Sequence, residues 1–442
     1  MRYYIIAGEA SGDLHGSNLM KGIYSEDPQA DIRFWGGDCM NSVWKSHIEC
    51  MGSICGSGFQ NRATPLVAGV GSDYATSPVD FCSEQPAAAG VVGARSEGVG
   101  GVVLKTTSTD NSRQSGLVRH YKEGAVMGFV EVIAKAGRLL KNVDFCKKDI
   151  LQWNPDVVIL IDYPGFNVFY YIAPKVWASR EGRIRKLRKY VDKLFIVFPF
   201  EKPYFDAKGI SYVYKGNPLV DAVDGSRAML ESRAEFLRRN ELADKPVIAM
   251  LAGSRKAEIS TMMPVLTEFA AKMKALPQYS DHQFLIAGAP SRSMKDYDSW
   301  LTDENRQYIK VLFGETQSII RHAEAAVVNS GTASLETVLF NTPQVVGYIT
   351  NPITYWLARK IVKVKYISLG NLIVDRLAFK EFIQDDCNAD KLVAEIRELI
   401  ENPERRQKML DEYAEIRSAL GGSGASAAVA HAMIEYLCPT TH

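Results

Sequence analysis

The stretch RYYIIAGEASGDLHG, residues 2–16, decides how the chain is read. After Arg2, five side chains run without a polar break, as in strands buried on both faces of a parallel sheet. The small residues that follow, Gly8, Ser11, Gly12 and Gly16, suit a tight strand-to-helix turn. Backbone N–H groups at such a turn are orphan donors reinforced by the helix dipole, so the loop is suited to an anion. The same pattern returns along the chain. Apolar runs followed by small residues and a helical period predict strands at 2–8, 32–37, 157–162, 168–174 and 194–200. A second series falls at 247–253, 283–289, 309–314, 325–331 and 344–349. Two such series predict an α/β chain of two Rossmann-like, doubly wound domains. The Gly216-Asn217-Pro218 break divides an N-terminal domain, 1–215, from a second, 216–388, and 389–442 reads as helix.

A length of 442 residues is enough for two or three domains with cores of their own. A net charge of +1 gives no protein-wide field of the kind that marks nucleic-acid binders. Apolar runs fall short of the roughly 18 residues that span a bilayer, and the chain enters a strand pattern without signal-peptide features. Seven scattered Cys without a CxxC pair predict reduced thiols in the cytoplasm and no zinc site. The sequence has no GxSxG or HExxH, and no GxGxxG after the first strand, which leaves hydrolase, metalloprotease and dinucleotide-oxidoreductase readings unsupported. Two places break the alternation. Residues 46–115 hold 10 Gly and only 10 charged residues, and read as an irregular or disordered insertion. Between the strands at 157–162 and 168–174 lies only YPGFN, fewer residues than a helical crossover needs. That pair is either a tight hairpin or a parallel pair that has lost its crossover helix.

Three loops carry candidate chemistry. The first, residues 8–16, offers Gly8, Glu9, Ser11, Gly12 and Asp13. LAGSRKAEI (251–259) offers Gly253, Ser254, Glu258 and a fixed cation, Arg255. VNSGTASLE (328–336) places Ser330, Gly331 and Thr332 at a helix start, with Glu336 in its second turn. Any one of them could be a simple helix cap. Two in one domain, one with a cation and one with a carboxylate able to accept ribose hydroxyls, point to a nucleotide diphosphate. Asp162 ends an otherwise apolar strand at the carboxyl edge, where open α/β sheets bind ligands. It is either a general base or the cap of the Pro-Gly turn behind it. Asp13 has the same pair of readings. In AVMGFVEVIAKAGRLLK (125–141), Val126, Phe129, Val130, Ile133 and Leu140 share a helical face near Lys135, Arg138 and Lys141. Residues alone favour a core-facing helix there. Basic residues also cluster at 180–193 and 354–366, a pattern compatible with reversible contact with an anionic membrane.

GEASGD (8–13), AVMGFVEV (125–132), PDVVILIDYPGFN (155–167), YYIAPKVWA (170–178), FPFE (198–201), GNPLVDA (216–222), GSRKAEI (253–259), NSGTASLE (329–336) and SLGNLI (368–373) occur in this order. In them the chain resembles the lipid-A-disaccharide synthases, a GT-B glycosyltransferase family, from end to end except at 46–115. The resemblance implies transfer of 2,3-diacylglucosamine from UDP to the 6-hydroxyl of 2,3-diacylglucosamine 1-phosphate, with inversion and without metal or cofactor. It implies Asp162 as base, with Ser11 and Asp13 in the catalytic cleft beside Gly8, Glu9 and Gly12. Gly253, Ser254, Arg255, Glu258, Ser330, Gly331 and Thr332 would hold the UDP diphosphate, and Glu336 the ribose. Asn371 and Glu381 would line the donor side. Val126, Met127, Phe129, Val130 and Ile133 become a membrane or acyl-chain contact, reversing the core-facing reading. C-terminal helices exchanged in a homodimer and peripheral attachment to the cytoplasmic face of the inner membrane also follow from the resemblance. The family has a crossover helix after the Asp162 strand and no excursion at 46–115, so the acceptor domain departs from it. Two alternatives accompany this reading: a UDP-N-acetylglucosamine 2-epimerase-like enzyme, and a UDP-sugar-binding homologue without a working acceptor domain.

Overall fold

The computed structural model describes residues 1–56, 115–121, 136–161, 168–173, 176–177, 181–351, 355 and 364–438. Within them two parallel sheets form. The first runs through β1 (Arg2–Ala7), β2 (Asp31–Gly36), β3 (Gly116–His120), β4 (Val157–Ile161), β5 (Val168–Tyr171), β6 (Val191–Ile196) and β7 (Val213–Tyr214). The second holds β8 (Val247–Leu251), β9 (Gln283–Gly288), β10 (Ile309–Phe313), β11 (Ala325–Asn329), β12 (Gln344–Tyr348) and β13 (Glu381–Ile383). Their orders, β3-β2-β1-β4-β5-β6-β7 and β10-β9-β8-β11-β12-β13, share one topology. Each reverses direction beside its first strand, at β1/β4 and at β8/β11, and ligands bind at such switch points.

The central strands are buried because both faces are covered. Tyr3, Ile5 and Ala7 of β1 enter a core that also takes Val247, Ala249 and Leu251 of β8. The alternate residues face away: Tyr4 and Ile6 pack in one outer core, Ile248 and Met250 in another. One apolar core therefore runs from sheet to sheet, with a further layer on the far side of each. This is the two-unit, doubly wound α/β architecture the sequence predicts, and all ten predicted strands are present.

Ten helices matter below: α1 (Ala10–Glu26), α2 (Asp38–Gly56), α3 (Ala136–Trp153), α4 (Pro218–Asp224), α5 (Lys256–Lys274), α6 (Thr332–Leu339), α7 (Leu369–Val374), α8 (Ala389–Glu401), α9 (Pro403–Leu420) and α10 (Ala425–Leu437). One reading needs correction and one choice is settled. Residues 46–56 are not irregular, because α2 runs through them to Gly56; 57–114 lie outside the described residues. Of the two readings of the pair at 157–162 and 168–174, the hairpin falls and the parallel pair stands. β4 and β5 are parallel neighbours, with Ile159 beside Phe169 and Ile161 beside Tyr171. Seven peptide steps reach at most about 25 Å, enough to return along a strand of four residues, about 13 Å.

The C-terminal helices tie the halves together. Asn402 caps α9 by accepting from the Arg405 N–H at 3.0 Å. In α4, within the GNPLVDA motif, Asp221 accepts from the N–H groups of Gly424 (2.5 Å) and Ser426 (2.7 Å) at the start of α10. Asp224 pairs with Arg417 at 2.6 Å and accepts from the Ser423 hydroxyl at 2.5 Å. Burial alone would raise the Asp224 carboxyl, yet these partners hold it below its ordinary range. α10 then lies on α1 of the same chain, where a Cβ on Gly22 would stand 2.9 Å from the Ala430 Cβ. Among the described residues no helix is long and apolar enough to cross a membrane.

Candidate active site

At the second sheet's switch point the loops after β8 and β11 touch: Asn329 Nδ2 donates to the Ala252 carbonyl at 3.4 Å. Between them Gly253 sits at φ +102°, and a Cβ there would lie 2.4 Å from Asn329 Nδ2 and 2.7 Å from Glu258 Oε2. Only glycine combines that backbone with that space. The loop then enters α5 with Arg255 as N-cap. Glu258 Oε2 accepts from the N–H groups of Ser254 (3.0 Å) and Arg255 (3.2 Å). This corrects two expectations. Those N–H groups are already satisfied, and Glu258 is the internal cap that satisfies them rather than a substrate ligand. What the loop presents outward is the Arg255 guanidinium. Its Nη1 donates to Glu258 Oε1 at 3.0 Å, and its Nη2 lies 3.7 Å from Glu9 Oε1 of the first domain.

The 330 loop is less spent. Ser330 gives its N–H to the Gly347 carbonyl at 3.2 Å and its hydroxyl to the Ile367 carbonyl at 3.2 Å. It is a brace, not an open donor. Gly331 is extended at φ 167° and precedes α6, which starts without a side-chain cap. The Ser334 N–H is held by the Gly331 carbonyl at 3.2 Å, and those of Thr332 and Ala333 are left to a ligand or water. Glu336 is half-buried on this helix, its Oε1 accepting from Gln317 Nε2 at 3.1 Å, and burial raises its carboxyl above the ordinary range.

Asn371 and Glu381 do not point polar atoms at a ligand, a further correction. Asn371 is fully buried; its Nδ2 donates to the Phe379 carbonyl (3.0 Å) and to Glu381 Oε1 (2.8 Å), while its Oδ1 accepts from the Ala378 N–H (2.9 Å). Glu381 accepts from the N–H groups of Ile367 and Ser368, both at 2.9 Å, at the start of α7. Their effect is indirect: they fix the carbonyl of Ile367 on which Ser330 is braced.

In the first domain Glu9 is the N-cap residue of α1, but its side chain makes no cap hydrogen bond. Ser11 is half-buried in the first turn. Gly12 is a packing glycine, since a Cβ there would contact Ala7 at 3.4 Å and Ile161 at 3.7 Å. Asp13 is corrected from catalytic to structural. It is 3 % exposed, and its carboxylate accepts from the N–H groups of Gly37 (2.6 Å), Cys39 (3.0 Å) and Met40 (3.2 Å), capping α2. Asp162 follows Ile161, which ends β4 beside Ala7 of β1. Asp162 itself lies outside the described residues, as do Val126, Met127, Phe129, Val130 and Ile133.

The sequence reading missed Arg292. Its Nε donates to the Ser254 carbonyl at 3.3 Å, which brings a second guanidinium to the 253–255 loop. Among the described residues it has no carboxylate partner. Its signal was a cation shortly after the carboxyl end of β9. Among the described residues, no group of three or more His, Cys, Asp or Glu is placed to hold a metal ion.

Arg255 at the second switch point, with Arg292 against its loop, approaches Glu9 at the first, an arrangement that suits an anionic ligand between them. The comparisons with known proteins decide the kind. A sequence profile of the family described as lipid-A-disaccharide synthetase matches residues 94–433. The chain belongs to the lipid-A-disaccharide synthase family. The lipid-A-disaccharide synthase of Syntrophus aciditrophicus is 34% identical over 440 residues, covering 96% of this chain and 94% of that protein. That of Geobacter metallireducens is 30% identical, covering 99% and 97%. Solved structures share the fold. The S. aureus MnaA–UDP co-structure superposes with a TM-score of 0.59 at 13% identity, covering 98% of this chain and 96% of that one. The Methanocaldococcus jannaschii UDP-GlcNAc 2-epimerase complex with UDP-GlcNAc and UDP gives 0.56 at 12% identity, covering 98% and 99%. The epimerase alternative thus rests on shape alone, whereas sequence places this chain in a hexosyltransferase family that acts on a UDP-sugar donor and an acceptor.

Proposed function

We propose that the enzyme transfers 2,3-diacylglucosamine from UDP to the 6-hydroxyl of 2,3-diacylglucosamine 1-phosphate, inverting the anomeric centre and releasing UDP. Asp162 takes the proton from the acceptor hydroxyl as its oxygen attacks the donor's anomeric carbon. The bond to the diphosphate breaks, and the charge that develops there meets Arg255, Arg292 and the open N–H groups at the start of α6. Gly253 keeps the backbone low enough for that approach, and Glu336 takes the ribose hydroxyls. Gly8, Glu9 and Ser11 form the facing wall, with Gly12 packed behind them.

The observation that carries this reading is the Arg255–Glu9 approach of 3.7 Å, which brings the carboxyl edges of the two sheets' first strands together. A donor bound at one edge is then within reach of a base at the other. Acylated substrates call for access to a lipid surface, so we assign the 125–133 segment to acyl-chain or membrane contact at the cytoplasmic face of an inner membrane. A homodimer that exchanges α10, so that each copy receives from its partner the contact α10 makes on α1 within one chain here, is part of the same proposal. The test is a split readout on Asp162→Ala: turnover lost by a factor of about 10² or more, with UDP affinity unchanged. Loss of UDP affinity in that variant would place Asp162 in donor binding instead.

A further inference from the structure

Glu9 and Arg255 belong to different sheets' loops, and nothing in the local structure of either requires the pair. Glu9 occupies the N-cap position of α1 without serving as a cap, and among the described residues its carboxylate has no other ionic partner. It stands at the positive end of a 17-residue helix, which favours a carboxylate there. Yet on the proposed reading the donor's diphosphate binds beside it. A fixed carboxylate that merely lined that cleft would repel the ligand.

The geometry points to a different role: we propose that Glu9 is a displaceable counter-charge for Arg255, held while the cleft is empty and released when a nucleoside diphosphate arrives. The proposal rests on the reading that Arg255 binds the donor's diphosphate. Arg255 has two unequal partners. Nη1 is tied to Glu258 at 3.0 Å, and Glu258 is itself anchored by two loop N–H groups, so that edge stays put. Nη2 meets Glu9 at 3.7 Å, which is electrostatic attraction without a proper hydrogen bond. The side chains are 37% and 47% exposed, so water can solvate either one as the pair parts. A diphosphate offers several charge-assisted acceptors where Glu9 offers one weak contact, so it wins the exchange. When UDP leaves, Glu9 returns, which favours release of product and restores the contact between the two domains' loops. Glu9 thus sets how tightly the enzyme holds UDP rather than adding to the grip.

Titration calorimetry with UDP on the full-length wild type, Glu9→Gln, Arg255→Gln and the double variant tests this. An exposed pair of this kind limits the gain, so Glu9→Gln is expected to bind UDP about two- to five-fold more tightly. The gain vanishes in the Arg255→Gln background, where UDP binds at least about ten-fold more weakly than wild type. It also shrinks as ionic strength rises. Equal or weaker UDP binding by Glu9→Gln, with Arg255→Gln still weakened, overturns the counter-charge while leaving Arg255 as the diphosphate residue. Wild-type affinity in Arg255→Gln overturns the diphosphate reading itself. Thermal melts of each variant confirm that the folded protein is being compared.

Discussion

Replacing Asp13 with alanine separates a structural carboxylate from a catalytic one. Its oxygens accept three N–H groups at the start of α2, and the bonds to Gly37 and Met40 are buried. Alanine leaves those two donors without a partner, at about 1–3 kcal/mol each. The sum, about 2–6 kcal/mol, falls on one domain, for which about 2–4 °C of Tm accompanies each kcal/mol. A drop of about 10 °C in the first unfolding transition is therefore expected, with Asp13→Asn losing about half as much because one acceptor survives. The assay is differential scanning calorimetry beside initial rates taken well below the variant's transition. Because Asp13 is shut away from the cleft, kcat of the folded variant should stay within a few-fold of wild type. An unchanged melting curve together with a collapsed kcat would refute this reasoning and return Asp13 to the catalytic set.

Two further outcomes follow from other residues. Arg292→Ala should leave Tm within about 1 °C, since a half-exposed side chain with one long hydrogen bond is lost, yet weaken UDP binding several-fold by calorimetry; unchanged affinity removes Arg292 from the donor site. Burial lowers the His15 imidazole to about 4, with Asp221 acting in the opposite sense. A depressed histidine makes the folded state poorer in protons than the unfolded one. Stability should therefore fall as pH drops from about 6.5 to about 4, by about 3 kcal/mol in all. His15→Gln should flatten that interval of the stability–pH curve, and an identical slope in the variant would show that other groups carry it.

Much of the architecture was legible because central strands are buried on both faces. β1, β8, β9 and β11 read as apolar runs with small residues behind them, and both switch points follow from their order. The strands the sequence reading missed are β3, β7 and β13. β3 and β13 lie at sheet edges with half-buried residues, and β7 is two residues long. Edge strands of that size leave no periodicity to read. The end of α2 was missed for a related reason: Gly52, Ser53 and Gly56 imitate a loop.

The site divides in the same way. Which loops stand at the carboxyl edges could be read from residue order, and those loops are where the reading placed them. Whether a polar atom is still free could not be read. Glu258 lies close enough to the loop N–H groups in sequence that its capping role had a local signal, a carboxylate three residues after the helix's first cap position. Asn371 and Glu381 had none, because their partnership depends on β13 lying beside β12. Arg292 reaches the 253–255 loop from β9, a neighbour only once the sheet exists.

The measurement closest to the central claim is UDP release from UDP-2,3-diacylglucosamine in mixed detergent micelles, with and without 2,3-diacylglucosamine 1-phosphate. The account predicts release that depends on the acceptor, one UDP for each disaccharide formed, and no such release from Asp162→Ala. Tight UDP binding with no acceptor-dependent release would contradict it, leaving a donor domain that works beside an acceptor domain that does not.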